Sequence, residues 1–143
     1  MNELERDKIR RKVQQDYGKV ATEKVQGYNC CSSSCCCSSE LSDVSAKLGY
    51  SEEEQNAVPN GSNMGLGCGN PQAIANIREG ETILDLGSGG GFDCFLASKK
   101  AGETGKVIGI DMTQEMISKA RQNAENNNFK NVEFRLGPHA DQI

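Results

Sequence analysis

Thr82-Ile83-Leu84-Asp85-Leu86-Gly87-Ser88-Gly89-Gly90-Gly91-Phe92-Asp93-Cys94-Phe95-Leu96 is the stretch on which the reading of this chain turns. Ile83, Leu84 and Leu86 form a short apolar run around Asp85, the pattern of a buried strand carrying one functional carboxylate. Gly87, Gly89, Gly90 and Gly91 crowd in directly behind it, after which Phe92, Phe95, Leu96 and Lys99 fall at helical spacing. Strand, tight glycine turn and helix together open a nucleotide-binding βαβ unit. Glycine suits such a turn because the backbone must bend sharply and approach a ligand where any Cβ would collide. The helix starting near Gly91 points unbonded N–H groups and a partial positive charge back into the bend.

The spacing selects the ligand. A dinucleotide fingerprint reads G-x-G-x-x-G, and counting from Gly87 puts Phe92 where its third glycine should stand. The chain instead carries Asp85-x-Gly87-x-Gly89-x-Gly91, the pattern of methyltransferases that use S-adenosylmethionine. That cofactor has no pyrophosphate, so less has to be held at the helix N-terminus. A second strand, Val107-Ile108-Gly109-Ile110, ends in Asp111, twenty residues past Gly91, a distance suited to a carboxylate gripping two ribose hydroxyls. Met112 follows and is placed to lie against an adenine face. The bend alone is compatible with a purely structural glycine turn; bend, next-strand acid and spacing together are far more specific.

Composition bounds what else the chain does. Its 143 residues predict one domain with a modest core. A net charge of −4 without a basic stripe argues against a nucleic-acid partner. No apolar run reaches membrane length, and the opening Met1-Asn2-Glu3-Leu4-Glu5-Arg6 has no secretory apolar core. A cytoplasmic, reducing location is therefore expected, with the seven cysteines as thiols rather than a disulfide framework.

The remaining elements follow from local pattern. A charged helix is expected from Asn2 to about Glu23, with Ile9, Val13, Tyr17 and Val20 as a narrow apolar stripe and its many Arg and Lys on a solvated face. Gly27 ends it, and the serine- and cysteine-rich stretch from Tyr28 to Ser39 cannot bury itself and reads as a loop. A helix is expected from Glu40 to Leu48, then a short one opened by a Ser51/Glu54 capping box and closed by Pro59. Asn60 to Asn70 is a glycine-dense loop containing Cys68, and Pro71 suits the first position of a helix reaching Ile77. Thr113 is expected to cap a helix running to about Asn126 with Met116, Ile117 and Ala120 inward, and Val132 to Leu136 reads as a third strand.

Five cysteines crowd into Cys30, Cys31, Cys35, Cys36 and Cys37. Structural zinc sites favour two spaced pairs, whereas here adjacent cysteines dominate and the sole histidine, His139, is distant, so zinc is not expected. Cys94, between Phe92 and Phe95, reads as a small core residue. Cys68, in a glycine loop leading to the cofactor bend, suits a soft ligand better than a core position.

Gly65-Leu66-Gly67-Cys68-Gly69-Asn70-Pro71, the run from Ile83 to Leu96, and Gly105-Lys106-Val107-Ile108-Gly109-Ile110-Asp111-Met112-Thr113 closely resemble the arsenite methyltransferases, as does Tyr17-Gly18-Lys19-Val20 followed by cysteines. The resemblance reaches Gly137. It implies an incomplete Rossmann-like class I methyltransferase fold of α/β class, with residues 1–70 as an N-terminal helical, cysteine-rich extension and 71–143 as the first βαβαβ half of the cofactor domain. It further implies transfer of a methyl group from S-adenosylmethionine to trivalent arsenic held by thiolates, with the ligands at Cys68 and at one of Cys30 and Cys31. Cofactor contacts carry over onto Asp85, Gly87, Ser88, Gly89, Gly91, Asp111 and Met112. A thiol reductant such as thioredoxin or glutathione is the implied partner. Cys35 to Cys37 either capture arsenic or are a compositional feature of the loop.

Two departures stand beside it. Family members continue with four further strands and two more arsenic-binding cysteines, so the chain is expected to be a fragment, a truncated product or half of an assembly, weak or inactive alone. After Gly137, Pro138-His139-Ala140-Asp141 replaces the family's acidic residue and Leu-Pro turn, so Asp141 takes no role. Half a doubly wound sheet also predicts an uncovered strand edge and apolar face. The competing readings are a thiol-rich arsenic or soft-metal binding module without turnover, and a methyltransferase for a small organic acceptor.

Overall fold

In a computed structural model of the chain, residues 2–22, 41–67 and 69–137 are described. Helix α1 (Glu3–Thr22), α2 (Leu41–Lys47) and α3 (Glu52–Asn56) precede a parallel sheet of β1 (Thr82–Leu86), β2 (Lys106–Asp111) and β3 (Val132–Leu136). Helix α4 (Phe92–Ala101) connects β1 to β2, and α5 (Gln114–Asn126) connects β2 to β3. The strands lie in the order β1-β2-β3, the arrangement of one half of a doubly wound sheet.

One face of the sheet builds the core. Val107 and Phe134 meet Cys94, Phe95, Leu96 and Ala97 of α4 and Ile117, Ala120 and Ala124 of α5. Phe95 is fully buried and stacks its ring 4.7 Å from Phe129 and 5.6 Å from Phe134. Truncating it to alanine removes a buried aromatic at a cost of about 3–5 kcal/mol. Gly109 is glycine because that packing leaves no room: a Cβ there would stand 2.7 Å from the Phe134 ring and 2.9 Å from Cys94 Sγ.

Among the described residues nothing covers the opposite face fully, as half a sheet predicts. Leu84 is 55% and Leu86 44% exposed, and their partners in register are Ile108 and Ile110 of β2. On β3 the same face turns polar: Ile108 and Ile110 pair with Glu133 and Arg135, and Glu133 takes ion pairs from Lys106 (2.8 Å) and Arg135 (2.6 Å).

Outside the sheet, the capping box at α3 forms as its residues predict: Ser51 Oγ accepts from Glu54 N–H at 3.1 Å and Glu54 Oε2 from Ser51 N–H at 3.0 Å. Two expectations are corrected. The helix expected from Pro71 to Ile77 is a single 3-10 turn, Pro71–Ala73, because Asn76 adopts a left-handed φ of 43° that no continuing helix tolerates. Thr113 occupies the position before α5, but its side chain makes no cap bond; its N–H is instead taken by Asp111 Oδ1 at 2.8 Å. No helix among the described residues is long and apolar enough to cross a membrane.

Candidate functional site

The C-terminal ends of β1 and β2 open into a cavity of about 450 Å³, within the range of small-molecule sites. Its floor is the bend after β1. Gly87, Gly89 and Gly91 all take left-handed φ values of 84°, 51° and 92°, which explains why glycine recurs at alternate positions. The three are not equivalent. A Cβ on Gly87 or Gly89 would meet nothing within 4 Å, so these backbones face open space, whereas one on Gly91 would strike Phe134 (2.7 Å) and Phe95 (2.8 Å). Gly91 is accordingly absent from the cavity lining and serves close helix–sheet packing, unlike its expected place in the cofactor set.

The bend is tied to β2 by backbone bonds from Gly87 N–H and Ser88 N–H to Ile110 C=O, at 2.7 and 3.0 Å. Asp111, at the end of β2, fixes it from the other side: its Oδ2 accepts from Gly89 N–H at 2.9 Å while Oδ1 accepts from Thr113 N–H. Both carboxylate oxygens are thereby aimed, and each keeps a lone pair for a further donor. Ser88 Oγ is buried at the cavity with no hydrogen-bond partner, an unmet polar group at the place a ligand would supply one. Asp85, Gly87, Ser88, Gly89, Asp111 and Met112 thus line one cavity. Open glycine backbone, an orphaned hydroxyl and an oriented carboxylate fit a nucleoside-bearing cofactor, S-adenosylmethionine.

Asp85 lines the cavity with its carboxyl largely buried. Burial holds its carboxyl above the ordinary carboxylate value, the bond from Cys94 opposes that, and the Asp111 charge adds to it. Cys94 itself is fully buried, as expected of a core residue. Burial and the neighbouring Asp85 keep it a neutral thiol.

The cavity wall also draws on segments far from the bend in sequence. Val13 and Tyr17 of α1 line the cavity, and α1 is anchored there by Gln14 Nε2 donating to Met112 C=O at 3.1 Å. This accounts for the apolar stripe of α1, of which Tyr17 remains 44% exposed. The loop before Pro71 contributes Met64, whose methyl group packs against the Gly90 backbone. Tyr50 and Asp93 complete the wall, joined by a hydrogen bond of 2.7 Å. These pairings span 43 residues or more, where periodicity is silent. Cys30, Cys31 and Cys68, together with Cys35 to Cys37, lie outside the described residues.

Residues 77–142 match the family described as a methyltransferase domain. The chain is 46% identical over 140 residues, 92% of its length, to an arsenite methyltransferase of Halobacterium salinarum, of which it spans 35%. A shorter match, 39% over 59 residues (41% of this chain, 29% of the other), is to a protein-L-isoaspartate O-methyltransferase of Methanococcoides burtonii. Among solved structures, an arsenic (III) S-adenosylmethionine methyltransferase from Chlamydomonas reinhardtii aligns at 32% identity and a TM-score of 0.45, over 66% of this chain and 31% of that one.

Proposed function

We propose that the chain belongs to the S-adenosylmethionine-dependent methyltransferases and is part of an enzyme that methylates arsenite, with residues 71–143 as the cofactor-binding half and 1–70 as the extension that brings the metalloid to it. The observation that carries this reading is the reach of the match to the arsenite methyltransferase. It runs over 92% of the chain and so extends beyond the methyltransferase domain, which begins at residue 77. The cofactor half alone does not specify the acceptor, since a protein-L-isoaspartate enzyme resembles a shorter stretch.

The cofactor supplies an electrophilic methyl on a sulfonium. In this reading Asp111 accepts from the ribose hydroxyls, Ser88 and the Gly87–Gly89 backbone take its remaining polar groups, and Met112 packs on the adenine. Trivalent arsenic is thiophilic, so Cys68 and one of Cys30 and Cys31 displace its hydroxides and direct its lone pair at the methyl group. Positioning of that kind is worth about 7–11 kcal/mol in well-oriented systems, and little acid–base work is needed. Attack by the lone pair would leave the methylated arsenic at the pentavalent level, two cysteine thiolates would return it to the trivalent level by forming a disulfide, and a thiol reductant of the thioredoxin or glutathione type would reduce that disulfide, in a cytoplasmic setting of arsenic detoxification.

The uncovered face bearing Leu84 and Leu86 favours a second reading for these 143 residues by themselves: arsenite and cofactor uptake without turnover. Incubation with arsenite and methyl-labelled cofactor separates the readings. Labelled methylarsenite supports the enzyme, and stoichiometric arsenite binding without label supports the module. Label on a small organic acceptor, retained in Cys68→Ser, overturns both.

A further inference from the structure

Tyr50 is 4% exposed, its ring packed edge-on against Phe92 at 4.9 Å, and its hydroxyl has two acceptors in reach: Asp93 Oδ1 at 2.7 Å and Gly69 C=O at 3.1 Å. A phenol carries a single proton. With Asp93 ionised, that proton goes to the carboxylate and the Gly69 carbonyl is left without it. Both contacts are made at once only when Asp93 itself holds a proton and donates to Tyr50 Oη, freeing the phenol to donate to Gly69. We propose that Asp93, Tyr50 and the Gly69 carbonyl form a proton-held latch that positions the glycine loop against the helix following the cofactor bend. Tyr50 and Asp93 are positioning residues for whatever that loop presents. On the reading given under Proposed function, Gly69 adjoins the arsenic ligand Cys68.

The surroundings favour the protonated state. Burial raises the Asp93 carboxyl, and the Asp85 carboxylate of β1 raises it further. Tyr50, the Gln72 amide, whose N–H also donates to the Asp93 carbonyl at 3.1 Å, and Lys100 on the same helix pull the other way. Lys100 is itself drawn off by Glu54 of α3 at 3.5 Å, and Glu54 adds its charge beside Tyr50. The loop is therefore latched at low pH and released as Asp93 ionises.

Carboxyl-carbon and amide NMR on the whole chain tests this in a titration carried upward from the ordinary carboxyl value of 3.8, the direction in which burial shifts Asp93. The Gly69 amide resonance is expected to move with the midpoint of the Asp93 carboxyl carbon. In Asp93→Asn the amide can donate to Tyr50 permanently, so Gly69 should stay at its low-pH position throughout. In Tyr50→Phe, Asp93 should still titrate while Gly69 no longer follows. The latch is overturned if Gly69 ignores Asp93 ionisation in the native chain, or if Asp93→Asn shifts Gly69 as the released form does. Should Tyr50→Phe not fold, the native and Asp93→Asn titrations decide alone. Arsenite calorimetry above the Asp93 midpoint adds the functional arm, with several-fold tighter uptake expected in Asp93→Asn than in the native chain. Absence of arsenite uptake in both, with co-titration intact, sinks the arsenite reading and leaves the latch standing.

Discussion

Cys94 Sγ donates to Asp85 Oδ2 at 3.2 Å, so a fully buried thiol on α4 holds the carboxylate that begins the cofactor motif on β1. Removing that donor in Cys94→Ala leaves a mostly buried acceptor short of a bond, at a cost of about 1–3 kcal/mol. Cys94→Ser keeps a donor of nearly the same shape and is expected to retain most of the stability. Urea midpoints of the two variants decide it; equal losses would mean the thiol acts by packing alone. The same burial predicts that Cys94 resists alkylation in the native chain and reacts only after unfolding.

Asp111 is the residue whose substitution should reach the cofactor most directly. Both its oxygens are set by backbone N–H groups, Gly89 on one and Thr113 on the other. Asp111→Asn places an amide N–H against one of those donors and removes the charge that strengthens bonds from ribose hydroxyls. Losing charge-assisted hydrogen bonds worth about 1.5–3 kcal/mol corresponds to a roughly 10- to 100-fold weaker complex with S-adenosylhomocysteine by calorimetry. Unchanged affinity would remove Asp111 from the cofactor site.

What the sequence made legible, and what it did not, divides along contact range. The β1–bend–α4–β2–α5–β3 run was readable because each piece announces itself within a few residues: Ile83 to Leu86, the spaced glycines, Met116/Ile117/Ala120, Val132 to Leu136. Asp85, Ser88 and Asp111 converge because a parallel β1–β2 pair with Leu86 opposite Ile110 must bring their C-terminal ends together. Tyr50 and Asp93, or Gln14 and Met112, meet only through tertiary packing and leave no periodic trace. The short fate of the Pro71 helix turned on Asn76, whose left-handed backbone is a local option that propensity does not rank.

Stability should carry an unusual pH slope from the two buried carboxyls. Asp85 and Asp93 are raised above the ordinary 3.8, both chiefly by burial, so the folded chain binds more protons there than the unfolded one. Their contribution is complete below that value and is lost as pH rises through the folded pKa. Glu133 runs the opposite way: hydrogen bonds from Arg135 and Lys106 lower it from the usual 4.5 to about 2, so its contribution is complete above 4.5 and is lost as pH falls from there through about 2. Denaturant midpoints of the native chain and Asp93→Asn, compared across pH, separate the trends. The Asn variant should gain on the native chain with rising pH, and parallel curves would show that Asp93 titrates normally.

The open sheet face should make the isolated chain self-associate. Leu84 and Leu86 stand side by side on an edge strand with Ile108 and Ile110 behind them. A contiguous apolar patch next to an unpaired strand edge is a surface that soluble monomers avoid. Leu84→Lys is expected to reduce association in sedimentation and lower binding of an apolar dye. Because Leu84 points away from the core, thermal stability should stay nearly unchanged. A monomeric native chain at high concentration would show that the patch is already covered.

Two glycines of one motif should fail in different ways, which separates cofactor binding from folding within a single bend. At Gly89 a Cβ meets nothing, so Gly89→Ala carries only the left-handed backbone penalty of about 1–2 kcal/mol. Its methyl group would project into the space a cofactor would occupy. At Gly91 the same penalty is joined by collisions with the Phe134 and Phe95 rings, and such overpacking adds about 1–3 kcal/mol. Gly91→Ala should therefore lower the unfolding midpoint well beyond Gly89→Ala. Under native conditions, the fraction of Gly91→Ala that remains folded should bind S-adenosylhomocysteine with near-native affinity. Gly89→Ala should lose no more stability than that backbone penalty yet bind at least about tenfold more weakly, a loss of about 1.4 kcal/mol. If instead both variants lost binding and kept stability, the rings would be yielding to the new methyl, and Gly91 would belong with the ligand after all.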